Sequence, residues 1–335
     1  MKEYLSKIMA GESLTREESA AAFNVIMSGE ATPPQIAAFL CTLRMKGEST
    51  DEIAGAVTSM REHALKVDVG DLDVVDTCGT GGDGSGTFNI STTAAFVVAG
   101  AGIPVAKHGN KAMSSKCGSA DVLSELGVNL EIGPDGMAEC IKEAGIGFLF
   151  AMTLHPSMKY AGPVRRELGI RTIFNILGPL TNPAGARRQV IGVFEPSLTE
   201  TMAGVLESLG SVRAMIVYGQ DGLDEISTTT NSKISELKDG QINTFELDPM
   251  QYIDSYSQPR DLAGGTPAEN AAITRAVLEG KTGAPRDIVV LNAAAAIFAG
   301  GKADTLSEGV TLARESIDSG KAAESLENLV KASNA

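Results

Sequence analysis

The chain is short of positive charge. Its 335 residues hold 28 Lys and Arg against 42 Asp and Glu, a net charge of −14. That deficit argues against sequence-independent nucleic-acid binding, which needs lysines and arginines to displace counterions along phosphates. A compact basic pocket stays open, because close, partly dry charges are screened less than exposed ones. Histidine is scarce: only His63 and His155 accompany His108, which speaks against His108 as a metal ligand. Cysteine is sparse and scattered (Cys41, Cys78, Cys117, Cys140) with no C-x-x-C pair, so neither a disulfide frame nor a zinc site is expected. Long hydrophobic runs are missing as well. The longest, Ala94 to Ala106, is broken by glycines and too short for a bilayer, and "MKEYLSKIMAGES" lacks the apolar centre of a signal peptide. The expectation is a soluble, cytoplasmic protein with no membrane or nucleic-acid partner.

What remains is ordinary globular material, 43% hydrophobic and 21% charged, long enough for a large core in one domain or two. Residues 1 to about 70 read as helices only. Thr15 with Glu18 and Ser49 with Glu52 form capping boxes, and Thr32 followed by Pro33 opens a further helix that Gly47 closes. After Gly70, short apolar runs alternate with capped helices. "DVVDT", "IPVAKHG", "GFLFA", "VIGVF" and "AMIVYG" are the strand candidates; "SADVLSELG" and "SLTETMAGVLESLG", the latter opened by Ser197 with Glu200, are the helices between. This alternation implies an α/β fold: a mostly parallel central sheet flanked by helices. "ISELKDGQINTFEL", with Asp239-Gly240 at its middle, predicts an appended hairpin. Residues 157–185 break the alternation with short helical pieces. They predict one smaller all-helical domain built from 1–70 and 157–187, hinged to an α/β domain of 71–156 and 188–335. From about Thr266 the chain is again mostly helical.

Three unusual segments each follow a strand candidate, where ligands collect in open parallel sheets. The first, "DTCGTGGDGSGTFNIST", places five glycines between Gly79 and Gly86 and then Asn89, Ser91 and Thr92 at a helix start. Bare glycines let backbone N–H groups approach an anion and permit φ > 0, while the hydroxyls and amide either cap the helix or leave its N–H groups to a phosphate. The spacing matches neither an ATPase P-loop nor a dinucleotide fingerprint. The second, "KHGNKAMSSKCGSAD", gathers Lys107, His108, Lys111 and Lys116 with Asn110, Ser114, Ser115 and Ser119. It reads as a polyphosphate site or as a solvated basic loop with a serine cap at Ser119. The third, "GQDGLDEIS", offers adjacent Asp224 and Glu225, suited to Mg²⁺ shared with substrate oxygens, though acidic pairs are common in turns of an acidic chain. Arg165, Arg166 and Arg171 in the broken helical block read as surface salt-bridge residues, although arginine can also take a carboxylate bidentately.

With these residues in place, the sequence resembles the anthranilate phosphoribosyltransferases. The resemblance rests on "GTGGD" (Gly79 to Asp83), "NIST" (Asn89 to Thr92), "KHGN" (Lys107 to Asn110), "SSKCGSADVL", "HPSMKYAGPVRRELGIRTIFNILGPLTNP" and "DGLDE", and spans nearly the whole chain. It implies a nucleoside-phosphorylase-like fold, a homodimer, and transfer of the phosphoribosyl group of phosphoribosyl pyrophosphate (PRPP) to anthranilate in tryptophan biosynthesis. It further implies that PRPP is held by Gly79, Gly82, Asp83, Thr87, Asn89, Ile90, Ser91, Thr92, the loop Lys107, His108, Gly109, Asn110, Lys111, Ser114 and Ser115, and Ser119. Lys107 and Asp83 would take part in catalysis. Gly79, Asn110 and Arg165 would meet anthranilate, which replaces the salt-bridge reading of Arg165. Ser91, Asp224 and Glu225 would hold one or two Mg²⁺ ions per subunit. Ser124 departs from the glutamate common in relatives, beyond the phosphate loop, and no glutamine-amidotransferase segment is expected ahead of the helical block.

The reaction so implied displaces pyrophosphate from the ribose C1 through an oxocarbenium-like transition state. It needs leaving-group stabilisation more than a general base, since an aromatic amine is neutral at pH 7. A pyrimidine nucleoside phosphorylase of similar architecture is the nearest rival; a non-catalytic relative that binds nucleic acid is the other.

Overall fold

The computed structural model describes residues 1–112 and 116–335. The chain opens with α1 (Lys2–Met9), α2 (Arg16–Met27), α3 (Pro33–Lys46) and α4 (Thr50–His63). Both capping boxes form: Thr15 Oγ1 accepts from Glu18 N at 3.2 Å while Glu18 accepts from Thr15 N at 2.8 Å, and Ser49 with Glu52 repeats both distances. Glu52 is fully buried and has further partners. It accepts from Leu14 N at 3.0 Å and pairs with Lys46 Nζ at 2.8 Å, so one carboxylate ties the start of α4 to the turn before α2 and the end of α3. Phe23 fills the middle of the bundle, edge-on to Phe39 and to Phe174, each 5.7 Å away.

Beyond residue 70, strands and helices alternate as expected. The order is β1 (Val75–Gly79), α5 (Ile90–Gly100), β2 (Val105–Gly109), α6 (Ser119–Glu125), α7 (Pro134–Ala144), β3 (Ile146–Phe150), α8 (Ala151–Leu154), α9 (Met158–Leu168), α10 (Phe174–Leu177), β4 (Arg188–Gly192), α11 (Leu198–Ser208), β5 (Arg213–Gly219), β6 (Ser232–Lys238) and β7 (Gln241–Leu247). The chain closes with α12 (Pro267–Leu278), α13 (Ala284–Ala299), α14 (Leu306–Asp318) and α15 (Lys321–Ser333). The sheet runs β3-β2-β1-β4-β5-β6-β7, parallel through β5 and antiparallel across β6 and β7. The expected hairpin turn is there: Asp239 and Gly240 both take positive φ, 52° and 70°, as a tight hairpin turn requires.

Residues of the central strands alternate between two cores, while Ala106 of β2 and Leu149 of β3 lie in a third, smaller one. Val75, Val190, Met215 and Val217 face a layer containing α5 and α13, whereas Ile191, Ala214, Ile216 and Leu237 face α11 and the N-terminal bundle. Ala161, Val164, Phe174 and Leu177 from the broken helical block pack in that second core with Phe23, Ile26 and Phe39. One expected cap is absent. Ser197 has helical backbone angles (φ −67°, ψ −25°) and caps nothing through its side chain, because Glu200 is drawn instead to Lys233 Nζ at 2.8 Å. No disulfide forms among the described residues, and no described helix is long and apolar enough to cross a membrane.

Candidate active site at the switch point of the sheet

The chain builds outward from β1 to β2 and β3, then returns to place β4 on the other side of β1. That reversal opens a crevice beyond the carboxyl ends of β1 and β4. Both strands end in glycine, with Gly79 opposite Gly192 in the parallel register. The reason is Asp224. A Cβ at Gly79 would collide with the Asp224 Oδ2, and one at Gly192 with the Asp224 main-chain carbonyl. The turn after β5 thus lies across both strand ends, and only glycine admits it. Gly192 was not among the residues singled out from sequence. Its signal was there: an interior glycine in the strand candidate "VIGVF" marks close backbone approach.

The glycine-rich loop follows β1. Gly81, Gly82, Gly84 and Gly86 all have φ between 66° and 75°, which side-chain-bearing residues rarely adopt. Gly81 N donates to Asp224 Oδ2 at 2.8 Å. Asp83 accepts from Ser85 N at 3.3 Å and from the Ser85 hydroxyl, within reach of Thr87 Oγ1. The far half of the loop is fastened to residues 262–264: Gly264 N donates to Gly86 O at 2.8 Å and Phe88 N to Leu262 O at 3.1 Å. Asn89 precedes α5 without capping it. Its Oδ1 accepts from Asn270 Nδ2 at 2.9 Å and its Nδ2 donates to Cys117 O at 3.3 Å, tying the first segment to the second. At the helix start Ser91 N donates to Glu225 Oε1 at 3.0 Å. Ile90 and Thr92 are buried.

The second segment leaves β2. Lys107 is buried, its Nζ donating to the Thr77 carbonyl and standing 3.5 Å from Ser91 Oγ. His108 is buried too. Its N donates to Asp76 Oδ1 at 3.0 Å; its Nδ1 is 3.1 Å from Gly178 O and its Nε2 3.2 Å from His155 Nε2. Gly109 is bare because a Cβ there would strike Ser119 Oγ. That hydroxyl accepts from Asn110 N at 3.1 Å and donates to Asn110 O at 3.2 Å, so it closes the loop and does not cap α6. Asp121 takes the capping position's load, accepting from Gly118 N at 2.8 Å and Ala112 N at 3.0 Å. Asn110, Lys111 and Lys116 are exposed; Ser114 and Ser115 lie outside the described residues.

All three strand-end segments therefore meet. Gly81 and Ser91 of the first hold the carboxylates of the third, and Lys107 of the second reaches Ser91. The electrostatics are those of an anionic hollow. Burial first, then the charge of Asp83, pushes the Asp224 carboxyl up; burial and the charge of Asp224 push Glu225 up, with Lys107 opposing. Burial likewise raises Asp76, again against Lys107, and depresses His108 to about 3 and His155 to about 4. A pocket of under-neutralised carboxylates at the lip of an anion-type loop fits a divalent cation shared with a ligand. Among the described residues no three His, Cys, Asp or Glu side chains make a complete cage. Mg²⁺ needs none, since it usually takes one or two carboxylates and fills its shell with waters and phosphate oxygens.

The arginines do not do what surface arginines usually do. Among the described residues neither Arg165, Arg166 nor Arg171 is in an ion pair. Arg165 is half-buried with its guanidinium 5.2 Å from the Phe174 ring centre, and Arg171 lies 4.1 Å over Phe194 while donating to Gly82 O. Aromatic faces and a loop carbonyl have replaced the carboxylates that a salt bridge would need. Asn110 and Arg165 share no hydrogen bond.

Comparison with known proteins gives a consistent picture. Residues 2–64 match the model of the glycosyl transferase family helical bundle domain, and residues 71–323 that of the glycosyl transferase family a/b domain. The chain is 56% identical to the anthranilate phosphoribosyltransferase of Moorella thermoacetica over 98% of its own length and 97% of the relative's. Among solved structures, the anthranilate phosphoribosyltransferase of Thermus thermophilus superposes with a TM-score of 0.94 at 44% identity, covering 99% of both chains. The Saccharomyces cerevisiae enzyme in complex with PRPP and Mg superposes with a TM-score of 0.90 at 29% identity, covering 99% of this chain and 97% of that one.

Proposed function

This chain belongs to the anthranilate phosphoribosyltransferase family, and we propose that it transfers the phosphoribosyl group of PRPP to the amine of anthranilate, releasing pyrophosphate. The observation that carries the reading is the meeting of three strand-end segments over Gly79 and Gly192, with Asp224 and Glu225 held by the amides of Gly81 and Ser91.

In this reading the glycine-rich loop, through Gly79, Gly82, Asp83, Thr87, Asn89, Ser91 and Thr92, wraps the pyrophosphate and ribose of PRPP, joined by the loop from Lys107 to Ser115 and by Ser119. Positive φ at Gly81, Gly82, Gly84 and Gly86 lets backbone N–H groups come close to an anion, so the dipoles of the loop add to the charge of Lys107 in drawing it in. Asp224, Glu225 and Ser91 hold Mg²⁺. When bound, the ion offsets the charge that gathers on the departing pyrophosphate. Lys107 stands behind Ser91 and Glu225, where its fixed charge favours the same build-up and keeps the carboxylate pair from wholly repelling the substrate. Asn110 and Arg165 orient anthranilate. Arg165 is suited to its carboxylate because partial burial and the Phe174 face leave the guanidinium without a competing anion. The amine needs only placement in line with the C1–O bond; that bond breaks with its electron pair going to pyrophosphate as the C–N bond forms, and the proton the amine then loses passes to solvent or to the freed pyrophosphate.

The segments 1–70 and 157–187 form the anthranilate side and the dimer contact, and 71–156 with 188–335 the PRPP and metal side. Packing of Phe174 and Leu177 with Phe23 and Phe39 supports that division. The enzyme works as a cytoplasmic homodimer. The Asp224–Glu225 pair beside the glycine loop favours this metal-assisted transfer over metal-free phosphorolysis of a pyrimidine nucleoside. The test is the loss of anthranilate fluorescence on mixing with PRPP and Mg²⁺. Loss that needs the protein, PRPP and Mg²⁺ together supports the assignment; no loss, with thymidine phosphorolysis in its place, overturns it.

A further inference from the structure

Asp224 and Glu225 sit on a turn whose backbone is fastened at two points. On one side Gly219 N donates to Leu223 O at 2.8 Å. On the other, Ile226 is held through both its polar groups by one side chain, Asn292 of α13: Ile226 N donates to Asn292 Oδ1 at 2.9 Å, and Asn292 Nδ2 donates to Ile226 O at 3.0 Å. The second hydrogen of Nδ2 goes to Ile288 O at 2.9 Å, one helical turn back, so every hydrogen of the amide is used.

Asn292 is 3% exposed and is the sole polar residue between Ile288 and Ala299. A buried amide in so apolar a helix costs free energy unless fully bonded, and here two of its three bonds go to Ile226, 66 residues away in the chain. A small pocket of about 10 Å³ lies at the same place, lined by Asn292, Glu225, Ser91, Thr77 and Gly192 among others, so Asn292 and Glu225 border one space.

We propose that Asn292 is a positioning residue for the reaction: by clamping both backbone groups of Ile226 it sets where the Asp224 and Glu225 carboxylates stand, and hence how well they hold a divalent cation. The inference rests on reading that pair as the cation holders. Asn292 touches neither substrate nor cation; it acts through Ile226. A side chain that merely joined α13 to the sheet would affect stability and leave cation affinity alone.

The test compares wild type, Asn292→Leu, Asn292→Ala and Asp224→Asn/Glu225→Gln. Three readouts are used: Mn²⁺ binding by electron paramagnetic resonance with inorganic pyrophosphate present, the Mg²⁺ dependence of turnover, and hydrogen exchange at the Ile226 amide. Asn292→Leu should weaken Mn²⁺ binding and raise the Mg²⁺ requirement about tenfold, with the anthranilate KM changed by less than about twofold. The Ile226 amide should exchange faster in the same variant. Faster exchange with wild-type Mn²⁺ binding overturns the proposal. Should the double carboxylate variant bind Mn²⁺ as wild type does, the reading of the pair itself fails. Loss of binding in the double variant but in neither Asn292 variant defeats the Asn292 inference alone. If Asn292→Leu does not fold, Asn292→Ala, which removes bulk, carries the comparison. In wild type the Ile226 amide must exchange as slowly as that of Ile216 on β5; rapid exchange there defeats the clamp without any variant.

Discussion

The main-chain carbonyl of Asp224 rests against the α-carbon of Gly192, so closely that no side chain fits beneath it. This one contact joins the end of β4 to the turn that carries both acidic residues. Gly192→Ala should push that turn off the sheet. Steady-state kinetics should show at least a hundredfold loss of kcat/KM, about 2.7 kcal/mol of transition-state stabilisation, with the protein still folded by circular dichroism. Wild-type turnover in Gly192→Ala would mean the turn can stand elsewhere without consequence.

Arg165 is half-buried, faces Phe174 and, among the described residues, has no carboxylate partner. Arg165→Ala should raise the anthranilate KM by about tenfold or more while changing the PRPP KM by less than about threefold. Equal losses for the two substrates would remove Arg165 from the anthranilate side.

Glu52 is fully buried and accepts from Leu14 N and Ser49 N as well as from Lys46. Removing it leaves a part-buried ammonium and two amides without their acceptor, so Glu52→Ala should cost about 3–5 kcal/mol in denaturant unfolding. The specific activity of the molecules that remain folded should be unchanged. A cost below about 1 kcal/mol would show that water or a neighbouring group replaces the carboxylate at little penalty.

His108 and His155 share a hydrogen bond in the interior, and burial depresses both, to about 3 and about 4 from the usual 6.5. The geometry assigns the protons: His108 Nδ1–H donates to Gly178 O, leaving its Nε2 to accept from His155 Nε2–H. Both rings are neutral in the folded protein and charge on unfolding below pH 6.5. Their contribution to stability is therefore complete above pH 6.5 and is lost as pH falls toward about 4. Asp224 and Glu225 act in the opposite sense, since their carboxyls are raised and the folded state takes up protons there first. The histidine effect is isolated by difference. Between pH 6.5 and 5, wild type should lose on the order of 2–4 kcal/mol relative to a His108→Asn/His155→Asn variant. Parallel pH profiles for the two proteins would show that the rings are already charged in the folded state.

Much of the fold was legible because it is local. The alternation of apolar runs with capped helices, the Asp239-Gly240 turn and the boxes at Thr15 and Ser49 depend on neighbours a few residues apart. The same local pattern failed at Ser197 and at Ser119, where a distant partner, Lys233 in one case and the Asn110 backbone in the other, offered a better bond. The candidate site was legible as three loops of unusual composition placed after strands. The contacts that assemble it were not: Gly192 under Asp224, Asn292 on Ile226, Arg171 on Gly82 and His155 on His108 each join residues between 32 and 89 positions apart, or on different layers of the fold. Composition marks a residue as able to bond; only the sheet order decides with whom.

The most direct measurement is the Mg²⁺ titration of anthranilate consumption, at saturating PRPP, for wild type beside Asp224→Asn/Glu225→Gln. Wild type should consume anthranilate in proportion to bound Mg²⁺. The double variant should be inactive at every Mg²⁺ concentration yet melt about 2 °C or more higher without metal, because two adjacent, part-buried carboxylates no longer repel each other. Normal turnover by the double variant at limiting Mg²⁺ would contradict the assignment of this crevice as a metal-assisted phosphoribosyl-transfer site.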